Sequence, residues 1–213
     1  WAQDPQETIN YVSNHDNHTL WDKNALALGV KPWQQKIDEK TLETLKSSQK
    51  FSNAMVLTMQ GVPFLHGGVD FARTKQGNHN PYNVLGPNVI DWNRKSEFYD
   101  VFEYYQGMIK LRKEHPAFRM TDAAAIKKHL EFIELSREYT KTVAFILKDN
   151  ANKDSWKNIA VIYNGEPEKA VSIELPKGNW NVVVDKNTAG TEVLRVVKNK
   201  VEVEPLSICV LYQ

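Results

Sequence analysis

The sequence predicts two successive parts, an α/β part and then an all-β part. In the first part, short apolar runs alternate with polar loops and longer helical patterns, which is the order expected of parallel strands in a sheet or barrel. In the second part, β-rich runs recur at intervals of roughly ten residues without a helical period, which is typical of an antiparallel sandwich. The change falls near Met120–Lys127, so the predicted domains are residues 1–122 and 123–213.

The first β-loop-α unit begins with a strand at residues 9–12, which contains the β-formers Ile9, Tyr11 and Val12. The polar run Ser13–His18 follows the strand directly. A helical pattern then covers residues 41–60, and either Asp38 or Thr41 is a suitable N-cap for it.

The second unit repeats this order. Gly61 is a stop signal for the preceding helix, and Val62–His66 is a short apolar run that predicts the second strand. The loop Gly67–Ser96 is long, and long loops within compact domains are usually functional. The next helix is predicted to end before Pro116. Its apolar stripe, which we interpret as core, consists of Phe98, Val101, Phe102, Tyr105, Met108 and Ile109.

The all-β part contains no internal repeat and is separated by turn residues such as Lys177-Gly178, Ala189-Gly190 and Asn199. Its eight predicted strands are residues 130–135, 142–148, 158–163, 170–175, 180–185, 193–197, 200–203 and 206–212.

Composition excludes several classes of function. The 213 residues carry a formal net charge of +1, which gives no reason to expect a nucleic acid or an anionic membrane as partner. No apolar run approaches the roughly 20 residues of a membrane span. Cys209 is the only cysteine and lies in an apolar run, so we expect a small buried side chain. The chain begins with Trp1 instead of Met, and we expect it to be a fragment or processed product of a longer protein.

Other chemistries find little support. No glycine-rich phosphate loop and no Gly-x-Ser-x-Gly elbow occurs, and Cys209 has no polar neighbours in the sequence to activate it. His15 and His18, with Asp16 and Asp22 nearby, contain metal-ligand types, but a segment that begins as a strand gives their spacing little meaning. We therefore predict no metal site.

The two polar loops suit a carbohydrate better, because sugars are held by amide and carboxylate groups with aromatic rings against the sugar face. A simpler alternative is that Asn14, Asp16 or Asn17 only caps a turn or helix. Glycoside hydrolysis normally needs two carboxylates, and only Asp16 stands at a strand end, so the residues predict part of a sugar site. The candidates are His15, Asp16, Asn17 and Trp21 in the first loop, and Arg73, Asn80, Tyr82 and Asn83 in the second.

The segment Thr8–Asp22, which reads TINYVSNHDNHTLWD, resembles the seventh-strand motif of the type I pullulanases, debranching enzymes of the alpha-amylase family of glycoside hydrolases. The segments Gly61–Gly68, Phe71–Gly77 and Asn80–Asn83 resemble that family's eighth strand and the loop after it, and Ile90–Trp92 continues the match. The resemblance covers nearly all of residues 1–120. The all-β part fits the family's C-terminal domain in position and texture.

The resemblance implies the last two strand–helix units of a TIM (β/α)8 barrel, followed by an antiparallel β-sandwich. It implies cleavage of α-1,6 linkages in pullulan and related α-glucans with retention of configuration. Asp16 would be the third catalytic carboxylate, which grips the sugar hydroxyls and stabilises the transition state, and His15 would bind the same sugar. The nucleophilic Asp and the acidic Glu would lie on earlier strands, in a missing N-terminal part of the same enzyme.

The chain departs from the family at Val84–Pro87, where the expected acidic residue is absent, which puts sugar contact from this segment in doubt. The resemblance leaves calcium open as a cofactor, although the sequence shows no calcium-binding pattern. Extracellular, cell-surface and cytoplasmic locations all remain open. Two other functions also remain: an α-1,4-acting relative, and a non-catalytic carbohydrate-binding or structural module. Trp156 and Trp180 are the aromatic candidates for that module, although core positions are the preferred interpretation of both.

Overall fold

Two short parallel strands form the first sheet of the computed structural model, which describes residues 2–213; Trp1 lies outside the described residues. Strand β1 (Ile9–Asn10) pairs with β2 (Val62–Pro63). The ladder is fixed by Val62 N–H donating to the Thr8 carbonyl at 2.9 Å and by Phe64 N–H donating to the Asn10 carbonyl at 2.9 Å. The predicted parallel pairing is thus confirmed. Both strands are shorter than predicted: within residues 2–213, the ladder pairs only Ile9 with Val62 and Asn10 with Pro63.

Two helices connect these strands. Helix α1 (Leu20–Ala27) was not predicted, and helix α2 (Glu39–Thr58) lies close to the predicted 41–60. The Thr19 hydroxyl caps α1 by accepting from Asp22 N–H at 3.2 Å, so the prediction that Asn14, Asp16 or Asn17 caps a helix here is wrong. The turn form of the same alternative is confirmed for Asn14, whose side chain accepts from Asp16 N–H at 2.8 Å. Asp38 caps α2 by accepting from Thr41 N–H at 2.9 Å.

The long loop after β2 is less irregular than predicted. It contains a 3-10 turn at Val69–Phe71 and the short helices α3 (Leu85–Asn88) and α4 (Arg94–Glu97), before helix α5 (Tyr99–Glu114) begins. The predicted core stripe of α5 is largely confirmed, but Ile109 is 39% exposed and is not a core residue. The buried face also includes positions that the stripe omitted, and it consists of Val101, Tyr104, Tyr105, Met108, Leu111 and Arg112.

Arg112 fixes α5 to the end of α2. Its guanidinium donates from Nη1 to the carbonyls of Leu57 at 2.9 Å and Met59 at 2.8 Å, and from Nη2 to the carbonyl of Gly61 at 2.8 Å. The last carbonyls of a helix have no partner within the helix, so a cation at this end satisfies them and opposes the helix dipole. Burial lowers the pKa of Arg112 to about 10, which leaves the side chain charged at neutral pH.

Gly61 allows the chain to turn sharply between α2 and β2. Its φ is +102°, and an added Cβ would lie 2.4 Å from Oγ1 of Thr8. A side chain at this position would therefore force apart the two segments that pair as β1 and β2.

The second part of the chain is an antiparallel sheet entered through helix α6 (Ala123–His129), which Asp122 caps and which the sequence did not predict. The strands occur in the order β3-β4-β5-β8-β6-β7. Their bounds are β3 (Leu130–Phe132), β4 (Thr142–Leu147), β5 (Ile159–Asn164), β6 (Val171–Val184), β7 (Arg195–Val203) and β8 (Ser207–Tyr212).

The sequence predicted eight strands in this part, and the structure has six. They form one hydrogen-bonded sheet, whereas a sandwich has two. The turn signals at Gly178 and Asn199 produce an irregularity inside β6 and β7, because Gly178 N–H donates to the Asn199 side-chain oxygen at 2.8 Å. Both residues have positive φ, at 142° and 59°, so they form a bulge between continuous strands instead of two turns.

The sheet has a buried core on each face. One face packs against α2 and α5, where the Thr58 and Tyr163 hydroxyls hydrogen-bond at 2.8 Å. The other face encloses a second core that includes Trp180 and Cys209, at 0% and 1% exposure, as the sequence predicted. Burial raises the pKa of the Cys209 thiol to about 12. Within residues 2–213, none of the helices combines the length and the apolar character that a bilayer crossing requires.

Replacing Arg112 with Met is expected to lower the free energy of unfolding by about 2–4 kcal/mol, because one buried and two partly buried carbonyls lose their donor while most of the side-chain volume is kept. Urea unfolding followed by circular dichroism measures the change. Arg137→Met, at an exposed arginine, is the matched control and should shift stability by less than about 0.5 kcal/mol. Equal effects of the two substitutions would contradict the assigned role.

Candidate functional site

Asp16 is the most prominent member of the candidate site, and it lies in the loop between β1 and α1. Its side chain is 74% exposed, and the neighbouring His15 is 83% exposed, with Nδ1 3.4 Å from the Asp16 carboxylate. Asp16 N–H donates to the Asn14 side chain at 2.8 Å, and Asn17 has a left-handed φ of 58°, which asparagine tolerates well. The loop therefore presents a carboxylate, an imidazole and an amide together at the carboxyl end of β1.

Lys75 supports this loop from beneath. The residue is only 1% exposed, and its ammonium donates to the carbonyl of His15 and, at 3.1 Å, to the carbonyl of Asn17. Its own backbone N–H donates to the carboxylate of Asp22 at 2.8 Å. The loop after β2 is thus bound to the loop after β1 through one buried side chain.

Asp22 anchors the same connection. It is fully buried in the first turn of α1, and its carboxylate accepts from the Thr74 hydroxyl as well as from Lys75 N–H. Two aspartates six residues apart therefore have opposite environments: Asp16 faces solvent, whereas both carboxylate oxygens of Asp22 accept hydrogen bonds from within the protein. The sequence assigned no role of this kind to Asp22 or Lys75, since a polar residue in a polar loop carries no sign of burial.

A further contact between the loops involves His18, whose Nε2 lies 3.1 Å from the Gly77 carbonyl and whose ring centroid lies 5.7 Å from that of His79. Gly77 has a φ of +74°, and an added Cβ would lie 2.4 Å from the ring of Trp33. His18 therefore joins the two loops. Residues 2–213 contain no group of three or more His, Cys, Asp or Glu side chains arranged to hold a metal ion.

Arg73 holds the second loop at both ends. It donates from Nη1 to the Gly67 carbonyl at 3.1 Å and from Nη2 to the Asn88 carbonyl at 3.0 Å. Nη1 also lies 3.2 Å from Nε2 of His66, which requires that nitrogen to be an acceptor. Burial, reinforced by the charges of Arg73 and Lys75, lowers the pKa of His66 to about 4, so the imidazole is neutral at pH 7.

The remaining loop candidates project into solvent. Tyr82 is 82% exposed, and Asn80 and Asn83 are also exposed. The Asn88 amide supports their segment by donating to the carbonyls of Pro81 and, at 2.9 Å, Val84. In the part of the chain that the structure describes, no hydrogen bond joins these three side chains to the Asp16 loop. The segment that lacks the expected acidic residue forms α3, where Leu85 is 81% exposed.

Trp21 is not available to a sugar, and its prediction as a substrate contact is wrong. Its side chain is 2% exposed and packs edge-on against Phe98, with ring centroids 4.9 Å apart. The guanidinium of Arg94 covers it at 5.4 Å. The apolar side of α1 points into the core, and Trp21 lies on that side.

The neutral state of His66 predicts a pH dependence of stability. An unfolded histidine takes up a proton near its ordinary pKa of 6.5, whereas folded His66 does so only near pH 4. The contribution of His66 to the free energy of unfolding is therefore fully present above pH 6.5. It is lost as the pH falls toward 4, and the loss is on the order of 2–3 kcal/mol.

His66→Gln keeps an acceptor for Arg73 but cannot be protonated, so its unfolding free energy should depend less on pH between 4 and 6.5. Denaturant unfolding at a series of pH values measures the difference. His79→Gln, at an exposed histidine, should retain the wild-type dependence. Parallel curves for the wild type and His66→Gln would show that His66 does not titrate as described.

Comparisons with known proteins point to the pullulanases. Residues 126–188 match the family model described as "Pullulanase, all-beta domain". The chain is 41% identical over 174 residues to the pullulanase of Bacillus subtilis strain 168, and the match covers 81% of this chain and 22% of that protein.

The solved structures agree with this result. The pullulanase from Bacillus acidopullulyticus superposes with a TM-score of 0.85 at 45% identity, over 99% of this chain and 25% of that one. The type I pullulanase of Bacillus subtilis strain 168, solved in complex with maltose, gives a TM-score of 0.84 at 37% identity, over 99% of this chain and 28% of that one. The chain thus spans about a quarter of the length of the relatives it matches. It belongs to the type I pullulanase family and corresponds to a C-terminal part of such a protein.

Proposed function

We propose that the chain is the part of a starch-debranching glycoside hydrolase that supplies one carboxylate, Asp16, to the active site. The reaction is cleavage of α-1,6-glucosidic linkages in pullulan and branched α-glucans with retention of configuration. The observation that carries this proposal is the braced loop at the end of β1, which leaves Asp16 exposed beside His15 and Asn17 in a chain that belongs to the pullulanases.

Asp16 has the properties of a supporting carboxylate. It makes no side-chain hydrogen bond to the described residues beyond its approach to His15, so its oxygens are free to accept from sugar hydroxyls. A negative charge held at a fixed position stabilises the positive charge that develops on the sugar ring in the transition state. The nucleophile and the general acid come from the remainder of the enzyme.

In this proposal β1 and β2 are the last two strands of a (β/α)8 barrel, residues 1–122 belong to that barrel, and residues 123–213 form the C-terminal domain. The short parallel sheet supports this, because Ile9 and Val62 are 64% and 43% exposed and Tyr11 packs only edge-on against Phe64, at 5.9 Å. A closed barrel would cover these side chains and place Asp16 at the face where barrel enzymes bind their substrates.

The second loop completes the binding surface in the proposal. Tyr82 offers an uncovered ring, and Asn80 and Asn83 offer amide groups, which suits stacking and hydrogen bonding to an α-glucan. Arg73 serves differently, because its donors already bind carbonyls within the loop. We assign it to holding the loop in place instead of to sugar contact.

A non-catalytic sugar-binding module is less compatible with the structure. Trp180 is completely buried. Both faces of the Trp156 ring are occupied, since the His115 ring stacks on it at 3.4 Å and the Tyr212 ring at 4.0 Å between centroids. Neither tryptophan has a free face for a sugar ring.

In the longer enzyme that contains this chain, Asp16→Asn should lower kcat on pullulan by about 10²–10⁴-fold, because the amide keeps the shape and removes the charge. Reducing-sugar release measures the rate, and circular dichroism should show an unchanged fold, since Asp16 is exposed. Asp149→Asn, at an exposed aspartate in the all-β part, is the matched control and should retain wild-type turnover.

Near-normal turnover of Asp16→Asn would refute the proposed role of Asp16. The linkage is tested separately by product analysis. Release of maltotriose from pullulan indicates α-1,6 cleavage, whereas cleavage of linear α-1,4-glucans at a comparable rate would favour an α-1,4-acting relative.

A further inference from the structure

We propose that Lys75 is a positioning residue that sets the orientation of Asp16 by holding the two carbonyl groups on either side of it. This inference rests on the proposed function and deepens it. The observation is geometric: one buried ammonium donates to the carbonyl of His15, immediately before Asp16, and to the carbonyl of Asn17, immediately after it.

These two hydrogen bonds constrain the backbone on both sides of the carboxylate. The His15 carbonyl belongs to the peptide group that carries the Asp16 nitrogen, so fixing it restricts rotation about the bonds of Asp16. Fixing the Asn17 carbonyl keeps the left-handed turn that follows, where φ is 58°. Because Asp16 and His15 themselves are exposed and make few contacts, this buried lysine provides their main support.

Lys75 is itself held from a rigid element. Its backbone N–H donates to Asp22, and Thr74 donates to the other carboxylate oxygen of the same residue. Asp22 lies in the first turn of α1, so the second loop is attached to the helix that follows the first loop. The position of Asp16 therefore depends on residues from both β-loop-α units.

The choice of a lysine favours a role in positioning over one in stability alone. Burial and the charge of Arg73 lower the pKa of Lys75, which shows that its environment disfavours the charged form. Apolar residues of similar volume are often equally or more stabilising at such sites. Two backbone carbonyls spaced around Asp16, by contrast, need a donor with several N–H groups on a flexible stem.

The test is Lys75→Met in the intact enzyme, which keeps the stem and removes the donors. A loss of position on the order of 1 Å can cost about 10²-fold in rate, and we expect kcat on pullulan to fall by about 10–10²-fold with a smaller change in KM. Lys50→Met is the matched control. Lys50 is also buried and pairs with Asp100 at 3.1 Å, so its loss should reduce stability while kcat stays within about 3-fold of wild type.

A double-mutant cycle separates positioning from general loss of structure. If Lys75 acts through Asp16, Lys75→Met should lower kcat by less than about 3-fold in the Asp16→Asn background. Lys75→Gln, which keeps one donor group on a shorter stem, replaces Lys75→Met in the cycle if the latter does not fold.

Wild-type kcat for the Lys75 variant, or effects that multiply fully in the double variant, would overturn the inference. A different result identifies failure of the proposed function itself, namely near-normal turnover of Asp16→Asn alone. The two failures are therefore distinguishable in the same set of variants.

Discussion

The rest of the structure depends on the attachment of Arg112 to the end of α2. One guanidinium satisfies the carbonyls of Leu57, Met59 and Gly61, at the point where the chain leaves a 20-residue helix and enters β2. The guanidinium fixes the direction in which the chain leaves α2, because its planar set of N–H donors can bind these carbonyls in only one arrangement. The exit in turn sets the register of β2 against β1, and with it the relative height of the two loops that carry the candidate site.

The α2–α5 pair also carries the antiparallel sheet. The hydroxyl of Thr58, at the end of α2, forms a hydrogen bond of 2.8 Å with the hydroxyl of Tyr163 in β5. The hydroxyl of Tyr104 in α5 donates to the Asp185 carbonyl at 3.1 Å. Gly107 lets the chain pass close to α5, since an added Cβ would lie 2.0 Å from the Ala189 carbonyl oxygen. The two parts of the chain therefore share one packed interface, and movement of the sheet would be transmitted to the helices that position the loops.

The sequence was sufficient for features that depend on local patterns. The periodicity of α2 and α5, the order of the β-loop-α units and the burial of Trp180 were all predicted correctly, because each follows from spacing or hydrophobicity. The missed features depend on contacts between distant residues. Gly178 and Asn199 each read as a turn, and only their hydrogen bond across two strands makes them a bulge. Similarly, α1 is a short helix whose stability comes from the burial of Trp21 and Asp22, which a weak local pattern does not show.

The candidate site shows the same limit at the level of single side chains. Asp16 and Asp22 are the same residue type in one polar stretch, yet one is 74% exposed and the other is buried under hydrogen bonds from Thr74 and Lys75. The burial of Asp22 makes the exposure of Asp16 useful, because a carboxylate stabilises a transition state only when its position is fixed before the charge develops. A loop of exposed polar residues cannot hold its own conformation, since water competes for the hydrogen bonds of each side chain. Buried residues must hold the loop in place, and here they are Lys75 and Asp22, which join the two strand-end loops.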